Sequence, residues 1–416
     1  GTLRMKSAAE QLQAVTITAK AVKNTEAALV TMKRKSVNVI DGVSAASFKK
    51  VGDSDAASAM SRVTGVSVEG GKYIYVRGLG DRYTKTTLNG MDVPGLDPDR
   101  NTVQMDIFPS NIIDNIVVSK SFSADLPADF TGGAVDISLK DFPEEKTMAA
   151  SIGVGYNPAM NLNSNYLKYD GGSTDFLGFD DGTRKNPTGG ISNPPTYVGA
   201  RKDPYGVGQE YEAILKDFDP NMAGYRATSF VNTSLSYSFA NQKELKNGLK
   251  MGYNFAMTYK NDVEFYEDAQ FNIYGKSKNA DEKPLELFSA QKGDYGINNV
   301  LMGGMAGIAF KNEKSKLRFN LLRLQNGESK TGEFDVVKNN KGSVYNAEQY
   351  NLEYSQRSLT NLLINGVHTF DDGNWELDWR VAPTMSTLDD PDVRFFRMRS
   401  DDKTIGTEVG LPARIW

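Results

Sequence analysis

The stretch YIYVRGLGDRYTKTTLNGMDVP, Tyr73 to Pro94, decides how the rest of the chain is read. Tyr73 to Arg77 alternates aromatic and β-branched residues, Gly78 and Gly80 allow a sharp change of direction, and Leu88-Asn89-Gly90 adds a second turn signal. The pattern predicts two short strands around a loop. That loop carries Asp81, Arg82, Tyr83 and Lys85, more charge than a core hairpin needs, which suits a contact surface raised on a small sheet. An ordinary solvated loop would use the same residues.

Composition removes several function classes. At 416 residues the chain is long enough for two units. Lys+Arg 48 against Asp+Glu 52 leaves a net charge of −4, which gives no basic field for nucleic acid. With no cysteine and His368 as the single histidine, disulfide scaffolds, thiol catalysis and Cys/His zinc sites are excluded. No nucleophile-elbow motif accompanies His368. No apolar run approaches the roughly 20 residues of a spanning helix, and mean hydropathy is −0.46. Gly1 to Glu10 has no apolar core of a signal peptide, so a secreted protein would be present here in processed or trimmed form.

Residues 37–142 share one texture. Short strands at Val37–Ile40, Val66–Val68, Ile74–Arg77, Ile116–Ser119 and Ala134–Leu139 alternate with short helices, one of them capped near Asp53 with Ala57, Met60 and Val63 at helical spacing. Pro109 to Ile113 reads as a further helical turn. This is a compact α+β domain, preceded by a polar segment, residues 1–36, in which Leu12 to Lys20 (LQAVTITAK) is a short β-prone run.

From about residue 147 the period changes to two. Ala150, Ile152, Val154 and Tyr156 alternate with polar or small residues; Leu235, Tyr237 and Phe239 repeat the pattern, as do Met251, Tyr253, Phe255, Met257 and Tyr259. Further candidates are Ile297–Phe310, Leu317–Gln325, Tyr350–Phe370 and Trp375–Ala382, making seven strands, with Leu321-Leu322 breaking phase as a bulge would. Long connections (Asn157–Ala227, Asn261–Tyr295, and one from Asn326) alternate with short ones, as in a meander whose two ends differ. Within the first, Tyr211, Ile214, Leu215 and Phe218 fit a short amphipathic helix. A membrane β-barrel explains this asymmetry, whereas a sandwich or propeller does not.

YVRG at Tyr75–Gly78, LNGMDVP at Leu88–Pro94, IIDNIVVSK at Ile112–Lys120 and GGAVDISLK at Gly132–Lys140 together resemble, in order, the plug of TonB-dependent outer-membrane receptors. LQAVTITAK resembles the segment such receptors offer to their energy-coupling protein. The resemblance implies an α+β plug domain inside a transmembrane antiparallel β-barrel. Residues 1–36 would be an N-terminal segment with a TonB-box-like stretch at 12–20, 37–142 the plug, and 147–416 a partial barrel with long extracellular loops. Family barrels have about 22 strands, and GLPARIW at the end lacks a closing strand, so this chain is expected to be the N-terminal part of a longer receptor.

The function so implied is active uptake across the Gram-negative outer membrane, with no catalytic residue, cofactor or metal. An extracellular small molecule, glycan or peptide would meet Arg82, Tyr83 and Lys85 in one apical loop and Asp97, Asp99, Arg100 and Asn101 in the next. Leu12, Val15, Thr16, Ile17 and Thr18 would add as a strand to the periplasmic TonB-type partner. Arg77, costly to bury alone, is expected to meet a carboxylate on the barrel's lumen face, of the type of Glu376 or Asp378. Outer-membrane lipids and a surface lipoprotein complete the candidate partners. Asp97, Asp99 and Asn101 have the first spacings of a calcium loop, but Thr102 and Phe108 break the motif. Two other readings stay open: a plugged barrel serving as an interaction platform, and a carbohydrate-acting enzyme on a β-fold, since carboxylates abound in the loops.

Overall fold

The computed structural model describes residues 24–97, 100, 103–124, 126–143, 145–188, 191–276, 285–340, 343–399 and 414–415. Residues 24–143 build a small α+β unit: α1 (Glu26–Lys35), β1 (Ile40–Ser44), α2 (Ala45–Val51), α3 (Ala56–Met60), β2 (Val66–Glu69), β3 (Tyr73–Val76), β4 (Thr84–Leu88), β5 (Met91–Asp92), β6 (Ile113–Ser119) and β7 (Gly133–Leu139). Its sheet has the order β1-β6-β7-β4-β5, with β4 parallel to β7 and every other pair antiparallel. The helix expected from Asp53 is instead capped two residues later, where the Asp55 carboxylate accepts the Ser58 amide at 2.9 Å. Pro109–Ile113 is only a single 3-10 turn, Ser110–Ile112.

The two strands of the Tyr73–Pro94 stretch do not pair with each other. β3 forms a separate hairpin with β2, while β4 joins the main sheet. The cause is local. Arg77 and Gly78 both adopt positive φ, 55° and 75°, so the chain leaves β3 in a left-handed turn that carries β4 into another layer.

The large sheet begins with β8 (Thr147–Gly155). A long excursion follows, containing β9 (Tyr166–Lys168), α4 (Tyr197–Lys202), α5 (Val207–Asp217) and β10 (Tyr225–Ala227). The chain then returns as β11 (Asn232–Glu244), β12 (Lys250–Lys276), β13 (Leu285–Lys311), β14 (Ser315–Asn340), β15 (Ser343–Phe370), β16 (Trp375–Val381) and β17 (Thr384–Arg399), with β18 (Arg414–Ile415) on β17. β16 and β17 pair with successive parts of β15 and act as one strand interrupted at Pro383, which has no N–H for the ladder. The seven strands expected are therefore present as a continuous antiparallel meander.

Two expectations about those strands are corrected. Most of Asn261–Tyr295 and of the segment after Asn326 is strand rather than loop: β12 runs on to Lys276, β13 starts at Leu285, β14 runs on to Asn340 and β15 starts at Ser343, each strand being 26–28 residues long. The apolar alternation fades there, while backbone pairing persists. Leu321-Leu322 is not a bulge either, since the register of β14 with both neighbours is unbroken. Leu321 points outward and is 49% exposed; Leu322 is 0% exposed and packs with the small unit. The lumen face is apolar here because protein covers it, not water.

One core therefore spans both parts. Met60, Ile74, Met105, Phe108, Ile112 and Ile137 of the small unit form one cluster with Ala256, Leu301, Met305, Leu322, Leu324 and Leu359 of the sheet. On the opposite face, Leu235, Phe255, Met257, Ile308, Leu321, Leu362, Val381 and Met385 make an exposed apolar band near the short-turn end. Beyond the band, the excursion crosses that outer face as a strap. Tyr166 and Leu167 pack on Val263 and Phe265, Gln325 donates to the Gly178 carbonyl at 2.7 Å, and the Asp180 amide donates to Gln356 at 3.0 Å. Arg184 lies 3.9 Å over the Tyr354 ring and pairs with Asp180 at 3.2 Å. This covering explains why the outward-facing Leu352 and Tyr354 are buried.

Candidate functional site

The small unit is fixed to the sheet by charge as well as by packing. Lys260 of β12 meets Asp55 at 3.0 Å, Lys72 meets Glu328 of β14 at 2.5 Å, and Asp141 meets Lys316 at 2.5 Å and Arg318 at 3.2 Å. Burial would raise the Asp55 carboxyl, but Lys260 and the Ser58 bonds outweigh it and hold the group below the usual carboxylate range. Asp141 is likewise pushed up by burial and pulled down more strongly by Arg318 and Lys316, to about 2. Backbone carbonyls complete the attachment: Asn89 accepts from Arg380 and Gly95 from Ser386, each at 3.2 Å.

Next to the Lys72–Glu328 pair lies a polar cluster around Tyr73. The Tyr73 hydroxyl donates to Asp97 at 2.8 Å and accepts from Gln104 at 2.8 Å, while the Arg100 guanidinium sits 4.2 Å over the ring and pairs with Glu69 at 3.2 Å. Burial and the Asp97 bond push the Tyr73 hydroxyl up to about 12. Asp106 has a buried Oδ1 with no hydrogen-bond partner among the described residues; burial, only partly opposed by Lys72, raises its carboxyl to about 6. Glu328 also meets Lys330 at 2.7 Å, so the two parts share one charge network. No group of three His, Cys, Asp or Glu able to hold a metal occurs among the described residues.

Residues 32–134 match the family model described as TonB-dependent Receptor Plug Domain. The chain carries the plug of a TonB-dependent outer-membrane receptor. The large antiparallel sheet resembles part of such a receptor's barrel, and the plug packs on one of its faces. Similar solved structures include the ferric enterobactin receptor of Pseudomonas aeruginosa (9% identity, TM-score 0.32, covering 87% of this chain and 56% of that one). The siderophore receptor PirA of Acinetobacter baumannii has 9% identity and a TM-score of 0.35, with 89% and 60% covered. The outer membrane transporter YddB of Escherichia coli has 9% identity and a TM-score of 0.30, with 90% and 57% covered. This chain thus spans a little over half the length of those receptors. Among curated proteins, none matches.

The plug separates the expected contact residues. Arg82 and Tyr83 are exposed on the one-turn segment Asp81–Tyr83, and Lys85 is engaged by Asp92 at 3.0 Å and Asp129 at 2.6 Å. Asp97 and Arg100 belong instead to the Tyr73 cluster. Asp99 and Asn101 lie outside the described residues, as do Leu12, Val15, Thr16, Ile17 and Thr18.

The expected Arg77 pairing is corrected. The left-handed turn at Arg77 folds its side chain back over the plug, where it donates to the carbonyls of Gly132 at 2.9 Å and Thr131 at 3.3 Å. Carbonyl dipoles take the place of a barrel carboxylate. Glu376 and Asp378 do face the lumen side, but Glu376 is exposed and Asp378 binds Asn365 and Arg380 of the wall. The cation Arg380, not an acid, reaches the plug from this strand.

Sequence reading missed Lys72, Gln104, Asp106, Lys260 and Glu328. Lys260 carried a usable signal, a lysine on the lumen parity of a strand. Glu328 lay in a segment read as loop.

Proposed function

We propose that this chain is the N-terminal part of a receptor that binds an extracellular ligand and imports it with energy from a periplasmic TonB-type partner. The plug carries this reading: its core is continuous with the lumen face of the sheet, so passage through a closed barrel requires the plug to rearrange. The ligand, a small molecule, glycan or peptide, meets the plug at the Tyr73 cluster with Asp97 and Arg100, and at Arg82 and Tyr83. Lys85, already held by two carboxylates, contributes less. The Leu12–Lys20 segment engages the energy-coupling protein by strand addition.

The test is deletion of residues 12–20 from the full-length receptor in cells. Surface binding should persist and uptake should stop. Unchanged uptake would overturn energy coupling through this segment, and binding without any receptor-dependent uptake in the wild type would favour a plugged platform for assembly.

A further inference from the structure

The turn that joins β2 to β3 places Lys72 between two carboxylates, one on the wall and one on the plug. Gly70 and Gly71 both adopt positive φ, 58° and 70°, and close that turn immediately before Lys72. On the wall side Lys72 meets Glu328 of β14 at 2.5 Å. On the plug side the Met105 amide donates to the Lys72 carbonyl at 2.8 Å, so Asp106, the next residue, runs beside Lys72.

The two carboxylates are unequally supplied. Glu328 also meets Lys330 at 2.7 Å and Arg357 at 3.7 Å, so it keeps cations when Lys72 departs. Asp106 has a buried Oδ1 that no donor meets among the described residues. The charges facing it are Lys72 of the turn, Asp55 at the start of α3, Glu328 of β14 and Arg357 of β15. Lys72 acts on it most strongly of these, whereas Asp55 and Glu328 oppose its ionisation. An ionised Asp106 in the docked plug is thus a buried charge short of a hydrogen-bonded partner, which is costly. Burial accordingly raises its carboxyl to about 6.

We propose that Lys72 is a two-position latch whose partner is chosen by the protonation of Asp106. With Asp106 protonated, Lys72 stays on Glu328 and holds the β2–β3 hairpin to the wall. With Asp106 ionised, its proton passes to water, Lys72 turns to Asp106, and Glu328 remains with Lys330 and Arg357. The sign follows from the raised carboxyl: docking of the hairpin is strongest in acid and weakens as pH rises through about 6. Tyr73 follows Lys72 in the chain and bonds Asp97 and Gln104, so release of the latch loosens the apical cluster. As regulation of a ligand-contacting cluster this rests on the proposed function; as a property of the docked plug it does not.

The full-length receptor, purified from outer membranes in detergent, is followed by hydrogen exchange of the β2 and β3 amides at pH 5 and pH 8, corrected for the intrinsic pH dependence of exchange. Neither ligand nor coupling protein enters, so failure of the import reading leaves the result intact. Wild-type amides of Tyr73–Val76 should lose protection on the order of 10-fold at the higher pH, while β6 is unchanged. Asp106→Asn should stay protected at both pH values. Glu328→Gln should be weakly protected at both, since the wall position is gone whatever the state of Asp106. A wild-type pH step retained in either variant overturns the latch, and so does a loss of protection that spreads equally to β6. Heat-modifiable mobility of each sample shows that the barrel itself is intact.

Discussion

Lys260 of the barrel wall and Asp55 of the plug are 3.0 Å apart, and the same carboxylate caps helix α3. One side chain thus starts a plug helix and ties it to the strand that encloses it. Removing Asp55 leaves Lys260 with Asp262 at 2.6 Å and deprives the helix of its cap. Asp55→Ala should lower plug stability by about 3 kcal/mol, measured by hydrogen exchange of α3 amides. Exchange as slow as in the wild type would show that packing alone holds the plug.

The same pair sets an acid limit. The Asp55 carboxyl lies below its unfolded value, so its contribution is present above that value, near 4, and is lost as pH falls through the lower folded value. Plug attachment should be insensitive to Asp55 titration from pH 5 to 8 and weaken only in stronger acid. Midpoints of plug release against pH, compared with Asp55→Asn, test this.

Asp106 has the opposite sign. Its carboxyl is raised to about 6, so the folded state holds a proton more tightly, and its favourable contribution fades as pH rises toward and through that value. Asp106→Asn should stabilise the plug at pH 8, on the order of 2 kcal/mol, and make no difference below about pH 4. Denaturant midpoints at the two pH values decide it; equal effects at both would exclude titration as the cause.

Leu321 and Leu322 offer a test of facing. The chain has no cysteine, so single cysteines at these positions report alone. Leu321→Cys should react with a lipid-soluble maleimide in membranes and Leu322→Cys should not. Leu322→Ala should cost 2–5 kcal/mol, as is typical for a buried leucine, whereas Leu321→Ala should cost far less. Labelling of both would mean that the plug does not cover this wall.

The strap depends on Gly178, whose φ is 76° and whose added Cβ would come within 2.9 Å of the Gly327 amide nitrogen. Gly178→Val should lift the strap and open residues 157–227 to limited proteolysis, while heat-modifiable mobility is retained. Resistance equal to the wild type would place the latch elsewhere, at Arg184 and its carboxylates.

The sequence by itself determined the plug and the seven-strand meander. Its ordered glycine and strand motifs encode local backbone needs, and its two-residue period encodes which face meets lipid. Both are short-range signals. It could not determine how far β12 to β15 run, because the backbone ladder needs no alternating apolar face to continue. Nor could it pair Arg77 with Gly132, Asp55 with Lys260, or Lys72 with Glu328, since those contacts join residues distant in sequence through a turn conformation and a docking geometry. Only the tertiary structure placed the 157–227 excursion on the outer face.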